Sequence, residues 1–193
     1  FVKREVTLLG HLVGYWGIRP SPKKVEALKA ARPPRDKAEL RSFLGLASYV
    51  RRFVPNYSNL AYPLTKLMKD KEVFEWRQAQ AEAFEALKAA LSDQVMLAAP
   101  RGQGKMVLAT DASNLALGAA LAQFQEDELV LLEFASKTLS ETEQRWSTRE
   151  REAYAIKWGI ERFEDYLKGS RFIVVTDHES LKWLEKANQG KVH

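Results

Sequence analysis

VLATDASNLALGAAL, residues 107–121, sets a charged aspartate at the end of an apolar, strand-like run and then returns at once to small apolar residues. Alternation along the run puts Asp111 on the face of Val107 and Ala109. FIVVTD, residues 172–177, repeats the arrangement, with Asp177 on the face of Ile173 and Val175. If these two strands are parallel neighbours, the two carboxylates stand at adjacent C-terminal strand ends, about 5 Å apart. In open sheets with helical crossovers, that edge is where sites are built.

The intervening sequence supports such a sheet. MVLATDAS (106–113), ALGAALAQFQ (116–125) and ELVLLEFASKTL (128–139) read as three strands, with QEDE (125–128) as the turn between the last two. A long helix follows over about 143–168, with Ala153, Ile156, Ile160, Phe163 and Leu167 at helical spacing and Gly169 as its stop. RFIVVTD (171–177) supplies a fourth strand and ESLKWLEKA (179–187) a short helix. This order implies antiparallel strand pairs, then a right-handed crossover helix that returns the chain to a parallel strand. The crossover helix begins at the edge that carries the aspartates, so its first turns are expected to face them. Glu152 lies four residues before Ile156 and eight before Ile160, on the buried stripe, whereas Glu150 is rotated by about 200°. Glu152 is therefore the inward acid.

Three crowded carboxylates repel one another unless a cation neutralises them, and hard oxygen donors suit Mg²⁺ or Mn²⁺. The chain has no cysteine, and its three histidines, His11, His178 and His193, are scattered without metal-ligand spacing, so any metal must sit on carboxylates. Blander roles stay open: Asp111 as a strand-end cap or ion-pair partner, Glu152 as one of many helix-surface acids.

The front of the chain has a different character. Residues 1–60 hold 12 Lys/Arg against 4 Asp/Glu, while the remainder holds 18 against 21. Such a basic half is the electrostatic footprint of a phosphate-backbone binder, or simply a solvated basic face. EVTLLGHLVGYWGI (5–18) reads as two short β segments forming a hairpin, and Ser21-Pro22 opens a helix over 22–31. Asp36 caps a second helix with Glu39 three residues on, apolar at Leu40, Phe43, Leu44 and Ala47 and ended by Pro55. Two more helices are predicted at about 59–69 and 78–91, and the turn-rich PRGQGK (100–105) places a domain boundary near residue 93. No apolar run approaches the roughly 18 residues of a membrane span, and FVKREVTLLG lacks the apolar segment and cleavage site of a signal peptide. An intracellular, non-secreted protein without a membrane partner is expected, and the first residue, Phe, suggests a piece of a longer product.

At these residues the sequence resembles the C-terminal part of a gypsy-class LTR retrotransposon reverse transcriptase. LATDASNLALGAALAQ is similar to the first two ribonuclease H strands, FASKTLSETEQRWSTREREAYAIKWGIERFEDYL to the third strand and long helix, and FIVVTDHESLKWL to the fourth strand and next helix. LLGHLVGYWGIRPSPKKVEALKAARPPRDKAELRSFLGLASYVRRFVPNYSNLAYPLTKLMK resembles the stretch from the primer-grip hairpin into the thumb and connection region. The resemblance implies an α+β, α/β-type architecture. The end of the palm would lie at 1–18, a helical thumb/connection unit at 19–92, and a ribonuclease H-like mixed sheet with flanking helices at 93–193.

The family's carboxylates fall on Asp111, Glu152 and Asp177, which implies hydrolysis of the RNA strand of an RNA–DNA hybrid with two Mg²⁺ or Mn²⁺ ions. Leu9, Gly10 and His11 then belong to the hairpin that steadies a primer terminus, and Arg51 and Arg52 are candidate phosphate contacts. His178 is set aside as a base, because the family mechanism assigns proton traffic to metal-bound water. Trp146, Trp158 and Trp183 read as core rather than as base-stacking platforms. The family's polymerase aspartates lie upstream of residue 1, and its fifth strand, last helix and fourth aspartate have no counterpart before His193. The ribonuclease H unit is therefore expected to be incomplete at its C-terminus, leaving the strand near 171–177 as a sheet edge that a protein partner would cover. Two functions follow from this sequence: a retroelement ribonuclease H with a nucleic-acid-gripping front half, or an inactive retroelement-derived subunit that binds nucleic acid within a larger complex.

Overall fold

The computed structural model describes residues 4–90 and 95–176. The chain opens with β1 (Glu5–Leu8), β2 (His11–Gly14) and β3 (Gly17–Pro20), an antiparallel meander in the order β1-β2-β3. This adds a third strand to the expected hairpin. Leu9 and Gly10 make the first turn with φ of 47° and 77°, the left-handed pair that a two-residue turn between twisted strands requires. Gly17 has φ of 137°, and a Cβ there would lie 2.1 Å from the Leu97 carbonyl oxygen. That close approach lets Ile18 and Leu97 exchange two backbone hydrogen bonds of 2.7 and 2.9 Å, while the Ala98 N–H donates to Leu131 O at 2.8 Å. The 97–98 segment thereby stitches the small sheet to the large one.

Four helices follow: α1 (Pro22–Lys29), α2 (Lys37–Tyr49), α3 (Tyr57–Leu67) and α4 (Gln78–Ala90). Asp36 caps α2 as the sequence predicts, its Oδ1 accepting the Glu39 N–H at 2.8 Å. The reciprocal bond goes elsewhere: Glu39 accepts the N–H of Arg35, at 2.8 Å, and not that of Asp36. Pro55 does not end α2. The helix stops at Tyr49, and a 3-10 turn, Arg51–Phe53, swings Val50, Phe53 and Val54 into the core, where each is at most 2% exposed. Leu28, Leu40, Phe43, Leu64, Phe84 and Leu87 complete this apolar cluster, together with Leu97.

The second sheet contains β4 (Met106–Ala112), β5 (Ala116–Gln125), β6 (Glu128–Thr138) and β7 (Phe172–Thr176), in the order β6-β5-β4-β7. The β4–β5 and β5–β6 pairs are antiparallel and β4–β7 is parallel, with Thr110 opposite Thr176. This is the expected mixed sheet. Glu126 and Asp127 turn β5 into β6 with φ of 51° and 68°. Among the described residues β7 stands at the edge of this sheet.

The crossover is not one helix over 143–168. A 3-10 turn (Glu143–Arg145) comes first, then α5 (Thr148–Arg162) and the short α6 (Glu164–Leu167). Ser147 forces the break, because its side chain accepts the Glu150 N–H while Glu150 accepts the Ser147 N–H, a closed capping box that starts a new helix. The buried stripe of α5 is also rotated from the expected one. Glu152, Ala155 and Gly159 are buried, whereas Ala153, Ile156 and Ile160 flank the contact half-covered. Small residues win the central position because α5 lies close on β4: a Cβ on Gly159 would sit 3.1 Å from Thr110 Cγ2 and 3.4 Å from the Leu108 methyls. The helical unit packs elsewhere on the sheet, where Ser58 and Ser136 share a buried hydroxyl contact of 2.9 Å and Asn56 lies against Gly118.

Two glycines are expected to be sensitive. Gly17→Ala is expected to cost about 2–4 kcal/mol, by displacing the Leu97 carbonyl. Gly159→Leu should cost about 1–3 kcal/mol by lifting α5. Denaturant unfolding of each variant checks both, and a Gly17→Ala protein as stable as wild type would refute the first.

Candidate functional site

The capping box fixes where α5 begins and thus where its second turn meets the sheet. Glu150 is spent in that box, and its hydrogen bonds from Ser147 hold its carboxyl below the usual range. Glu152 points inward, as its spacing predicts, and is 3% exposed. Its Oε1 accepts the backbone N–H of Ala112 at 3.2 Å, at the C-terminal end of β4. The preceding residue in β4 is Asp111, which is exposed.

The approach differs from the expected one. Thr110 and Leu108 are the β4 side chains that touch α5, so alternation turns Asp111 toward the opposite face. Glu152 therefore meets β4 at its terminus, by the main chain, while Asp111 projects from the other side of the same strand end. The structure brings these two acids to neighbouring positions on one strand end. The third, Asp177, follows the last residue of β7 and lies outside the described residues, as do His178, Trp183 and the predicted 179–187 helix. No group of three metal-ligating side chains comes together among the described residues.

The turn after Asp111 is tightly held. Ser113 Oγ accepts the N–H groups of Leu115 (3.1 Å) and Ala116 (2.9 Å), and its own hydroxyl donates to Asn59 Oδ1 of α3 at 2.7 Å. Asn114 Oδ1 accepts from Arg151 at 2.6 Å. Neither Asn59 nor Arg151 is singled out by sequence patterning. A signal did exist for Arg151, which stands four and eight residues before Ala155 and Gly159, on the buried side of α5.

The residues expected to grip nucleic acid lie in the helical unit. Leu9 is 85% exposed at the tip of the β1–β2 turn. Gly10 leaves room for Tyr49, whose hydroxyl would sit 2.5 Å from a Cβ at that position. His11 turns inward: its ring stacks on Tyr49 at 4.6 Å, and Nδ1 hydrogen-bonds the Tyr49 hydroxyl at 2.9 Å. Burial, reinforced by the positive charges of Arg52 and Lys24, holds the His11 pKa below its ordinary value of 6.5.

Arg51 and Arg52 face β6. Arg51 donates to Ser136 O at 2.5 Å, and Arg52 pairs with the buried Glu133 at 3.0 Å, which also holds Arg162 at 2.6 Å. Together with Ser58, Lys137 and Trp158 they line a groove of about 510 Å³ along β6. Trp158 packs half-buried against the sheet cluster, and Trp146 stands edge-on to Tyr154 at 5.3 Å.

His11 gives a pH signature. Since its folded pKa is depressed, the unfolded chain binds the proton better, and the stabilisation is complete above about pH 6.5 and declines as pH falls. Thermal unfolding from pH 7.5 to 5 is expected to show this loss in the wild type, with a shallower dependence in His11→Gln. Parallel curves for the two proteins would contradict it.

Residues 76–174 match the model of the RNase H-like domain found in reverse transcriptase. The chain is 40% identical over 190 residues to the Retrovirus-related Pol polyprotein from transposon 297 of Drosophila melanogaster, covering 98% of this chain and 18% of that protein. It is 36% identical over 194 residues to the corresponding polyprotein from transposon gypsy of the same species, covering 94% of this chain and 18% of that one. It thus spans under a fifth of the length of these relatives. Among solved structures, the foamy viral protease-reverse transcriptase in complex with RNA/DNA hybrid shares the fold, with a TM-score of 0.78 at 22% identity over 99% of this chain and 26% of that one. The strand order, the crossover helix and a family match over more than half of its residues lead to one conclusion: the chain belongs to the family of RNase H-like domains found in reverse transcriptases.

Proposed function

We propose that this chain carries the ribonuclease H function of a retroelement Pol polyprotein, hydrolysing the RNA strand of an RNA–DNA hybrid with Asp111, Glu152 and Asp177 as the acids. The observation that carries this reading is the buried Glu152 carboxylate, seated on the Ala112 N–H beside Asp111. The solved relative bound to an RNA/DNA hybrid supports the choice of substrate.

The donor set fits a divalent cation. Asp111 and Glu152 offer hard carboxylate oxygens, one solvent-facing and one shielded, which suits Mg²⁺ or Mn²⁺ and leaves room for water. Two such ions, when bound, would activate a water and stabilise the leaving oxygen. Asp177, which lies outside the described residues, is proposed as the third acid from the sequence pattern it shares with Asp111. Glu152 is held by the Ala112 N–H, so its position is set before any ligand arrives. Asp111, being exposed, is the acid that meets the RNA strand. In the front half, Leu9 is the part of the primer-grip hairpin presented to nucleic acid, with Gly10 shaping the turn and His11 bracing it on Tyr49. Arg51 keeps N–H donors for a phosphate, whereas Arg52 is held by Glu133.

A hybrid-cleavage assay in Mg²⁺ and in Mn²⁺ tests this. Asp111→Asn, Glu152→Gln and Asp177→Asn should each lower the rate by about 100-fold or more while hybrid affinity holds. Glu152→Gln is the sharpest variant, because its amide oxygen can still accept the Ala112 N–H. A wild-type chain that binds hybrid with a salt-dependent affinity yet never cleaves it would favour the alternative of an inactive nucleic-acid-binding subunit.

A further inference from the structure

Arg151 is only 7% exposed, one residue before Glu152 in α5. Its Nη1 donates to Trp146 O at 2.7 Å and Gln144 O at 3.3 Å, and its Nη2 to Asn114 Oδ1 at 2.6 Å and Thr148 Oγ1 at 3.4 Å. All four acceptors are neutral. No carboxylate pairs with it among the described residues, and burying a guanidinium on neutral acceptors costs more than an apolar side chain in the same space would. What the guanidinium supplies is a rigid fork that reaches two directions at once, which neither an ammonium nor an apolar group can do. One arm holds the end of the 3-10 turn that leads into α5. The other holds the β4–β5 turn, directly after Asp111 and Ala112.

The turn so held is itself a network. Ser113 gathers the Leu115 and Ala116 N–H groups and is tied to Asn59 of the helical unit, so Arg151 and Asn59 grip it from two elements. Any loosening at Asn114 passes within two residues to Ala112, whose N–H carries Glu152.

We propose that Arg151 is a positioning residue of the carboxylate site. It locks the β4–β5 turn to the N-terminus of α5 and so fixes Asp111 and Glu152 relative to one another. The catalytic consequence rests on the ribonuclease H reading; the clamp itself does not.

The test compares Arg151→Lys, Asn114→Ala and the double variant in the full chain. Lysine keeps the charge and loses the fork. Amide hydrogen exchange at Leu115 and Ala116 should speed up by about tenfold in each single variant, with amides in the β5–β6 ladder unchanged. In hybrid cleavage, kcat should fall by about tenfold with KM unchanged, and the double variant should lose no more than either single one. Additive losses, or exchange and kcat at wild-type values in Arg151→Lys, would overturn the proposal. Should Arg151→Lys fail to fold, Asn114→Ala alone decides it by the same exchange and kcat values. If the wild type does not cleave hybrid, the ribonuclease reading fails, and exchange at Leu115 and Ala116 alone decides whether Arg151 holds the turn.

Discussion

A single hydrogen bond, 3.2 Å from the Ala112 N–H to the Glu152 carboxylate, ties the helix that carries one acid to the strand that carries another. For it to form, α5 must lie close on β4, and Gly159 permits that closeness. The helix must also begin at the right residue, which the Ser147–Glu150 capping box enforces. If either condition is shifted by one residue, Glu152 rotates by about 100° and leaves the strand end. The site therefore depends on backbone geometry set well away from the carboxylates.

The same economy joins the two halves of the chain. The helical unit does not simply precede the sheet: Ser58 bonds Ser136, Arg52 shares Glu133 with Arg162, and Asn59 reaches the turn behind Asp111. Glu133 draws one arginine from each half to a buried carboxylate, so that removing Glu133 would leave two like charges without their shared counter-ion. The arginines that look like free phosphate contacts in the sequence are largely occupied in this seam. His11 is likewise turned inward, so the β1–β2 hairpin offers Leu9 to solvent and keeps its polar ring as a brace.

Much of this was legible in the residues. Apolar and β-branched runs mark β4, β5, β6 and β7, the crossover helix implies a parallel return strand, and the register of Thr110 with Thr176 agrees. Helical phase favours Glu152 over Glu150 as the inward acid, and Glu152 is buried. The buried stripe is rotated from the one that bulky Ile156 and Ile160 predict, because small Ala155 and Gly159 make the close contact. The break before Ser147 is hidden for a related reason: a continuous apolar period runs past a cap whose signal is one serine and one glutamate. Asn59 and Arg151 act through tertiary partners, Ser113 and Asn114, that no local pattern links to them.

We propose that Asp111 and Glu152, reaching the end of β4 from its two faces, meet one divalent ion beyond the strand terminus. Paramagnetic broadening of backbone amide signals by substoichiometric Mn²⁺ reports on it most directly. Asp111, Ala112, Ser113 and Glu152 are expected to broaden first and together, and Glu152→Gln to remove the effect. Broadening that starts instead at exposed acids such as Glu126, Asp127 and Glu161, with the β4 terminus untouched, would contradict it.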